Sequence, residues 1–140
     1  MMKSNRKSAS PHYPSEQDTA TKFIKPMLEA LNWNFLKPDE VREKVPFEGG
    51  YIDCILYSKD NPQIIVEYKY LGLSALTFKK DYTKRRERAK LFGVNVFVYT
   101  NFTEAIIHRF KEREICYFEN PTEYLEKLNI LKKYLLKKTV

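Results

Sequence analysis

The sequence predicts a single α/β domain, a mixed β-sheet flanked by helices, and three observations carry that prediction. Several short runs rich in β-branched and aromatic residues have the length of strands. Three stretches with helical spacing stand before, between and after them. Two neighbouring strand-like runs carry charge in otherwise apolar surroundings, Asp53 on the first and Glu67 with Lys69 on the second. A chain of 140 residues is long enough for one domain with its own core.

Residues 1–14 are polar and basic and contain two prolines, which predicts a flexible basic tail, with the folded domain over 15–140. Ser15-Glu-Gln-Asp18 resembles a capping box, and Phe23, Ile24, Met27, Leu28 and Leu31 recur at helical spacing up to about Trp33. Pro26 falls inside that pattern and should kink or split the helix, because it removes a backbone donor and crowds the preceding turn. Val41 to Pro46 reads as a strand and Glu48-Gly49-Gly50 as a turn. Tyr51 to Tyr57 and Ile64 to Tyr70 read as a hairpin joined by the loop from Ser58 to Pro62.

Ala75 to Leu91 reads as a charged helix with Leu76, Tyr82 and Leu91 as its apolar marks. Its basic face (Lys79, Lys80, Lys84, Arg85, Arg86 and Arg88) is presented to solvent or to a ligand, and Gly93 ends it. Val94 to Thr100 is a further strand, and Glu104 to Phe110 and Glu114 to Phe118 are two more at an edge. Thr122 to Lys138 is helical, with a stripe of Leu125, Leu128, Leu131, Tyr134 and Leu135 that packs on the sheet or, as the alternative, forms a dimer seam.

The balance of 25 Lys+Arg against 18 Asp+Glu, net +7, favours polyanions such as nucleic acid, although charge of this size also serves plain solubility. Cys54 and Cys116 have no zinc-like spacing and suit reduced thiols inside a cell. The start of the chain lacks the apolar run of a secretory signal, and no 18-residue apolar stretch occurs. A soluble cytoplasmic protein, with no membrane partner, is the expectation.

Side chains alternate along a strand, so Glu67 and Lys69 emerge on one side with Ile65, while Ile64, Val66 and Tyr68 face the other. Charges so placed are costly to bury without partners, and a divalent cation with a phosphate would supply them. Mg²⁺ takes oxygen ligands and retains water, so Asp53 and Glu67 suffice as its carboxylates, with the Tyr68 carbonyl as a further oxygen. Lys69 is placed to hold the attacking water or to offset charge on the transition state.

An acid followed by Glu-x-Lys on the next strand of a hairpin resembles the PD-(D/E)XK nuclease superfamily. The segment from Ser15 to Trp33 resembles the opening helix of the N-terminal nuclease domain of type I restriction endonuclease motor subunits. Asp53-Cys-Ile-Leu-Tyr57, Ile65-Val-Glu-Tyr-Lys69 and Val98-Tyr-Thr-Asn101 follow in that family's order, so the resemblance spans roughly residues 15–110. It implies a restriction-endonuclease-like fold and a Mg²⁺-dependent DNA endonuclease, with Mn²⁺ as a substitute.

Carried over residue by residue, the resemblance implies Asp53 and Glu67 as metal ligands, Lys69 as the catalytic lysine and Glu16 as a fourth member. An acid at Glu16 also suits a helix N-terminus on its own account. The basic residues Lys79, Lys80, Lys84, Arg85, Arg86 and Arg88 would cradle phosphates, or form only a solvated face. Tyr82 fits the tyrosine of the family's Gln-x-x-x-Tyr, with Phe78 in the place of glutamine. Tyr70, Tyr82 and Tyr99 stack on bases or, more simply, pack. His108 has no ligand-spaced companions and reads as a packed or edge residue.

No P-loop occurs, so a stand-alone nuclease is expected. DNA is the expected partner, with a homodimer or a partner subunit of a restriction or repair complex as further partners. Two rival readings share the fold: a DNA-binding or assembly module without turnover, and a junction-resolving enzyme, a class usually built as a two-fold dimer.

Overall fold

A computed structural model of the chain describes residues 20–69, 79–101, 104–119, 123 and 128–137. A π-helical turn, Ala20–Ile24, leads into α1 (Lys25–Ala30). There follow β1 (Val41–Phe47), β2 (Gly50–Ser58), β3 (Asn61–Tyr68), α2 (Lys79–Phe92), β4 (Val96–Thr100), β5 (Ala105–Arg109), β6 (Glu114–Phe118) and α3 (Leu128–Leu135). Among the described residues the strands form one mixed six-stranded sheet in sequential order, antiparallel except for the parallel pair β3–β4. A parallel pair needs a long crossover, and α2 lies within it. The architecture is α/β, a mixed sheet flanked by helices in one small domain, as the sequence predicts.

Local chemistry explains most boundaries. Pro26 stands in the first turn of α1, where a missing N–H is tolerated, so the proline divides the helical region as expected. The helix stops before Trp33 because Asn32 turns left-handed at φ +75°. The β1–β2 and β2–β3 connections are two residues long, Glu48-Gly49 and Lys59-Asp60, with φ of +49°, +77°, +52° and +66°. Paired positive φ values give the turn twist that matches twisted strands. The expected loop from Ser58 to Pro62 is therefore shorter than predicted, and Asn61 and Pro62 already belong to β3, next to the irregularity at Leu56/Tyr57. Gly93, at φ +104°, ends α2 as expected, its N–H donating to the Ala89 carbonyl.

The expected edge position needs correction: of the two strands placed at an edge, only β6 lies there. β5 sits between β4 and β6, and Ala105 to His108 are all buried, as an inner strand requires, whereas β6 alternates toward solvent.

The two faces of the sheet have different covers. On one, Leu28 and Trp33 from the α1 region and Leu135 from α3 close over Val66, Val98 and Ile107. The Trp33 indole donates to the Leu135 carbonyl, which ties the two helical pieces together. The last helix thus packs on the sheet through Leu135. On the other face α2 lays Tyr82, Ala89 and Phe92 against Ile55, Ile65 and Phe97, with Phe92 edge-on to Phe47 at 5.1 Å. Leu91, expected to be an apolar mark of this helix, is exposed instead, because Ala89 and Phe92 set the inward phase. No described helix is long and apolar enough to cross a membrane.

Candidate active site

The charged residues of β2 and β3 meet where their ladder opens. Cys54 pairs with Val66 in the antiparallel register, and beyond that point the side chains take over the backbone donors. The Asp53 N–H donates to Glu67 Oε1 at 2.8 Å, and the Tyr68 N–H donates to Asp53 Oδ2 at 2.8 Å. Each carboxylate is thereby locked to the opposite strand. Asp53 is 5% exposed and Glu67 1%, so both are buried acids whose lost hydration must be replaced.

Cations from α2 supply the replacement. Arg85 Nη1 lies 3.0 Å from Asp53 Oδ2 and 3.2 Å from Glu67 Oε1, bridging the two acids. Arg88 Nη2 touches Glu67 Oε2 at 3.4 Å and donates to the Tyr51 carbonyl at 2.6 Å. Gly50 makes room for that guanidinium, since a Cβ there would meet Arg88 Nη1 at 2.7 Å. Lys69 Nζ contacts Asp81 Oδ2 at 3.2 Å, and Asp81 also receives Arg85 Nε at 3.0 Å and the Tyr99 hydroxyl at 2.7 Å. Lys44, more exposed, stands 3.5 Å from Asp53 Oδ1. Three carboxylates and four cations thus form one connected cluster between sheet and helix.

The electrostatics follow from burial and pairing. Burial pushes the Glu67 carboxyl up to about 7, the Asp53 charge adds to the rise, and Arg85 opposes it. Burial alone would raise Asp81, but the Tyr99 hydroxyl, Arg85 and Lys69 outweigh it and hold that acid below the ordinary carboxylate range. For Arg85, burial disfavours the charge, yet Glu67, Asp53 and Asp81 together keep it more firmly protonated than usual.

The cluster unites Asp53, Glu67, Lys69, Arg85 and Arg88 from the sequence-derived set. Tyr68 contributes its backbone, while its ring is buried in the core on the opposite face. The basic residues of α2 do not form one face, contrary to expectation. Consecutive helical positions are set about 100° apart, so Arg85 and Arg88 point inward while Lys79, Lys80 and Lys84 are exposed. Arg86 lies over the Tyr82 ring at 5.4 Å, and Tyr82 packs with Phe97 and Tyr99 and pairs its hydroxyl with His108 Nε2. His108 itself is buried in that aromatic group. Glu16, Tyr70, Leu76 and Phe78 lie outside the described residues.

Sequence reasoning missed Asp81, Lys44, and the anchoring hydroxyl of Tyr99. Asp81, Arg85 and Arg88 stand at i, i+4 and i+7, the spacing of one helix face, and that was the readable signal for an inward polar stripe.

The donor set suits a hard divalent cation. A single atom, Arg85 Nη1, is in contact with both acids, so the two carboxylates converge on one cation-sized position. All the available donors there are oxygens. Among the described residues no group of three His, Cys, Asp or Glu forms a metal-ligand set, so a cation held by the two carboxylates would need other oxygens to complete its shell.

Neither a protein-family model nor a curated protein matches the chain. Among solved structures it is similar to a fragment assigned as an HsdR subunit of a type I restriction enzyme from Vibrio vulnificus YJ016, with 21% identity and a TM-score of 0.61. The similarity covers 83% of this chain and 25% of that one, so the chain spans about a quarter of the restriction-enzyme fragment. At that identity the likeness establishes the fold: the sheet and its helices are restriction-enzyme-like.

Proposed function

We propose that this domain is a metal-dependent deoxyribonuclease of the PD-(D/E)XK kind, hydrolysing phosphodiester bonds in DNA. The observation that carries the reading is the convergence of Asp53 and Glu67 on one cation position at the opening of the β2–β3 ladder. Asp53 and Glu67 would hold Mg²⁺ or Mn²⁺, with the Tyr68 carbonyl as a further oxygen. When bound, the metal polarises the phosphoryl group and lowers the pKa of a bound water.

The chain's own groups have distinct tasks. The cross-strand bonds of Asp53 and Glu67 hold both carboxylates in place before substrate arrives, so little reorganisation remains for the reaction. Lys69 supplies a positive charge to orient the attacking water and offset charge on the phosphoryl oxygens, and Asp81 sets the position of its ammonium. Arg85 and Arg88 are phosphate contacts, with the exposed Lys79, Lys80 and Lys84 extending the basic track along α2. Glu16, outside the described residues, would be a fourth member of the site.

A second reading, a nuclease-like module that binds DNA or a partner subunit without turnover, draws on a specific observation: the buried acids already have basic partners. Incubation of the purified chain with plasmid and with branched DNA in Mg²⁺ or Mn²⁺ separates the two. Nicking or cleavage that falls at least 10³-fold in Asp53→Asn and in Lys69→Ala, with DNA binding retained, is the expected result. Wild-type protein no more active than Lys69→Ala in either metal would favour the binding module. Preference for the branched substrate, together with a dimeric mass, would point to junction resolution instead.

A further inference from the structure

One face of α2 is matched to the strand residues charge by charge. Asp81 takes Lys69, Arg85 takes Asp53 and Glu67 together, and Arg88 takes the second oxygen of Glu67. Arg85 fills the position on which both acids converge, 3.0 and 3.2 Å from one oxygen of each. A guanidinium and a divalent cation cannot share that position. A metal placed beside Arg85 would face a like charge at close range in a region largely shielded from water.

The same helix reaches the apolar core through Tyr82, Ala89 and Phe92. Its inward charged positions are held by ion pairs, for which another anion can compete. A phosphodiester is such an anion, and the planar guanidinium binds phosphate bidentately.

From this geometry we infer that Arg85 is the resident counter-ion of the Asp53–Glu67 pair, and that a divalent metal enters when the guanidinium transfers to a phosphate of the nucleic acid. This rests on the nuclease reading and describes how that site is loaded. No bond is made or broken: Arg85 leaves two carboxylate oxygens for phosphate oxygens, and the metal takes the carboxylates. Metal binding is weak in the free protein because the acids are already neutralised. It strengthens with DNA, and by linkage the metal strengthens DNA binding by the same factor.

The test is calorimetric titration of Ca²⁺ into the full chain, wild type and Arg85→Gln, without nucleic acid. Affinity at least tenfold higher in Arg85→Gln is expected, with a larger rise of its melting temperature on adding the ion. Loss of Arg85 leaves buried acids unpaired, so a variant unfolded without metal is a foreseeable outcome; folding on addition of Ca²⁺, read by far-UV circular dichroism, then supports the inference. A second arm titrates Ca²⁺ into wild type with and without a short DNA duplex, after subtracting the duplex alone, and expects at least a tenfold gain. This arm decides alone if the variant never folds.

Equal affinities within twofold in the arm that decides would overturn the role of Arg85 while leaving the nuclease reading intact. No Ca²⁺ bound by either protein, with or without duplex, would overturn both.

Discussion

The two faces of the sheet bury neighbouring strands by different physics. Toward α1 and α3 the contact is made by apolar side chains, among them Leu28, Trp33, Val66, Ile107 and Leu135, with the Glu40–Lys137 pair as a polar tie beside them. Toward α2 the cover changes character along its length, from Phe47, Phe92 and Phe97 to the ionic cluster around Asp53 and Glu67. Apolar transfer at about 25 cal/mol per Å² accounts for the first face. It does not account for the second, because a buried ion network is typically no more stabilising than well-packed apolar residues of similar volume. What stability leaves unexplained on the α2 side, the proposed metal chemistry would explain, and the contrast can be broken experimentally.

The largest expected effect lies on the apolar face. Trp33→Ala removes a buried indole and its bond to the Leu135 carbonyl, and should lower stability by about 3–5 kcal/mol in urea unfolding. Under conditions where the variant stays folded, its divalent-ion affinity should match wild type. A loss below about 1 kcal/mol would mean that this face does not carry the fold.

On the charged face the size of the effect should depend on how many partners are removed. Glu67→Ala alone takes a partner from Arg85, from Arg88 and from the Asp53 N–H and should cost about 3 kcal/mol, whereas the triple change Asp53→Asn, Glu67→Gln and Arg85→Gln should stay within about 1 kcal/mol of wild type. The amide oxygens can still accept the Tyr68 and Asp53 N–H groups. DNA cleavage should vanish in both. A triple variant as unstable as the single one would show that the charges hold the fold, and the contrast between the faces would fail.

How much of this was legible in the sequence follows from the strength of local signals. Alternation put Glu67 and Lys69 on one side of their strand, and the structure turns Glu67, together with Asp53 of the neighbouring strand, toward α2. Pro26 and Gly93 marked their boundaries through backbone chemistry that needs no tertiary context. The phase of α2 was not readable in the same way. Its apolar residues are few and Leu91 misleads, so a run of cations looked like one outward face, although Arg85 and Arg88 turn inward and Asp81 with them. The last two strands are equally short, and their order in the sheet depends on pairing partners that no local pattern reveals. The hairpin at Lys59-Asp60 was read with too long a loop, because non-glycine residues take the positive φ values there.

The smallest effect sets the ionic cluster against the aromatic group beside it, through pH. Burial pushes Glu67 up to about 7 in the folded chain, above its ordinary 4.5, so the folded state binds the extra proton between those values. Its contribution to stability is full below about 4.5 and is lost as pH rises through 7. Burial, aided by Arg86 and Lys90, drives His108 down to about 4 from 6.5, so there the unfolded state binds the extra proton. That contribution is full above about 6.5 and is lost as pH falls toward 4. Each is on the order of 1–3 kcal/mol, and the two slopes oppose each other over the shared window. Wild-type stability between pH 4.5 and 6.5 should therefore vary less than that of either variant. In urea melts across that window Glu67→Gln should gain stability with rising pH relative to wild type, and His108→Gln should lose it. Parallel profiles for the two variants would mean that the acid and the imidazole are not buried in the opposed states that the two regions impose.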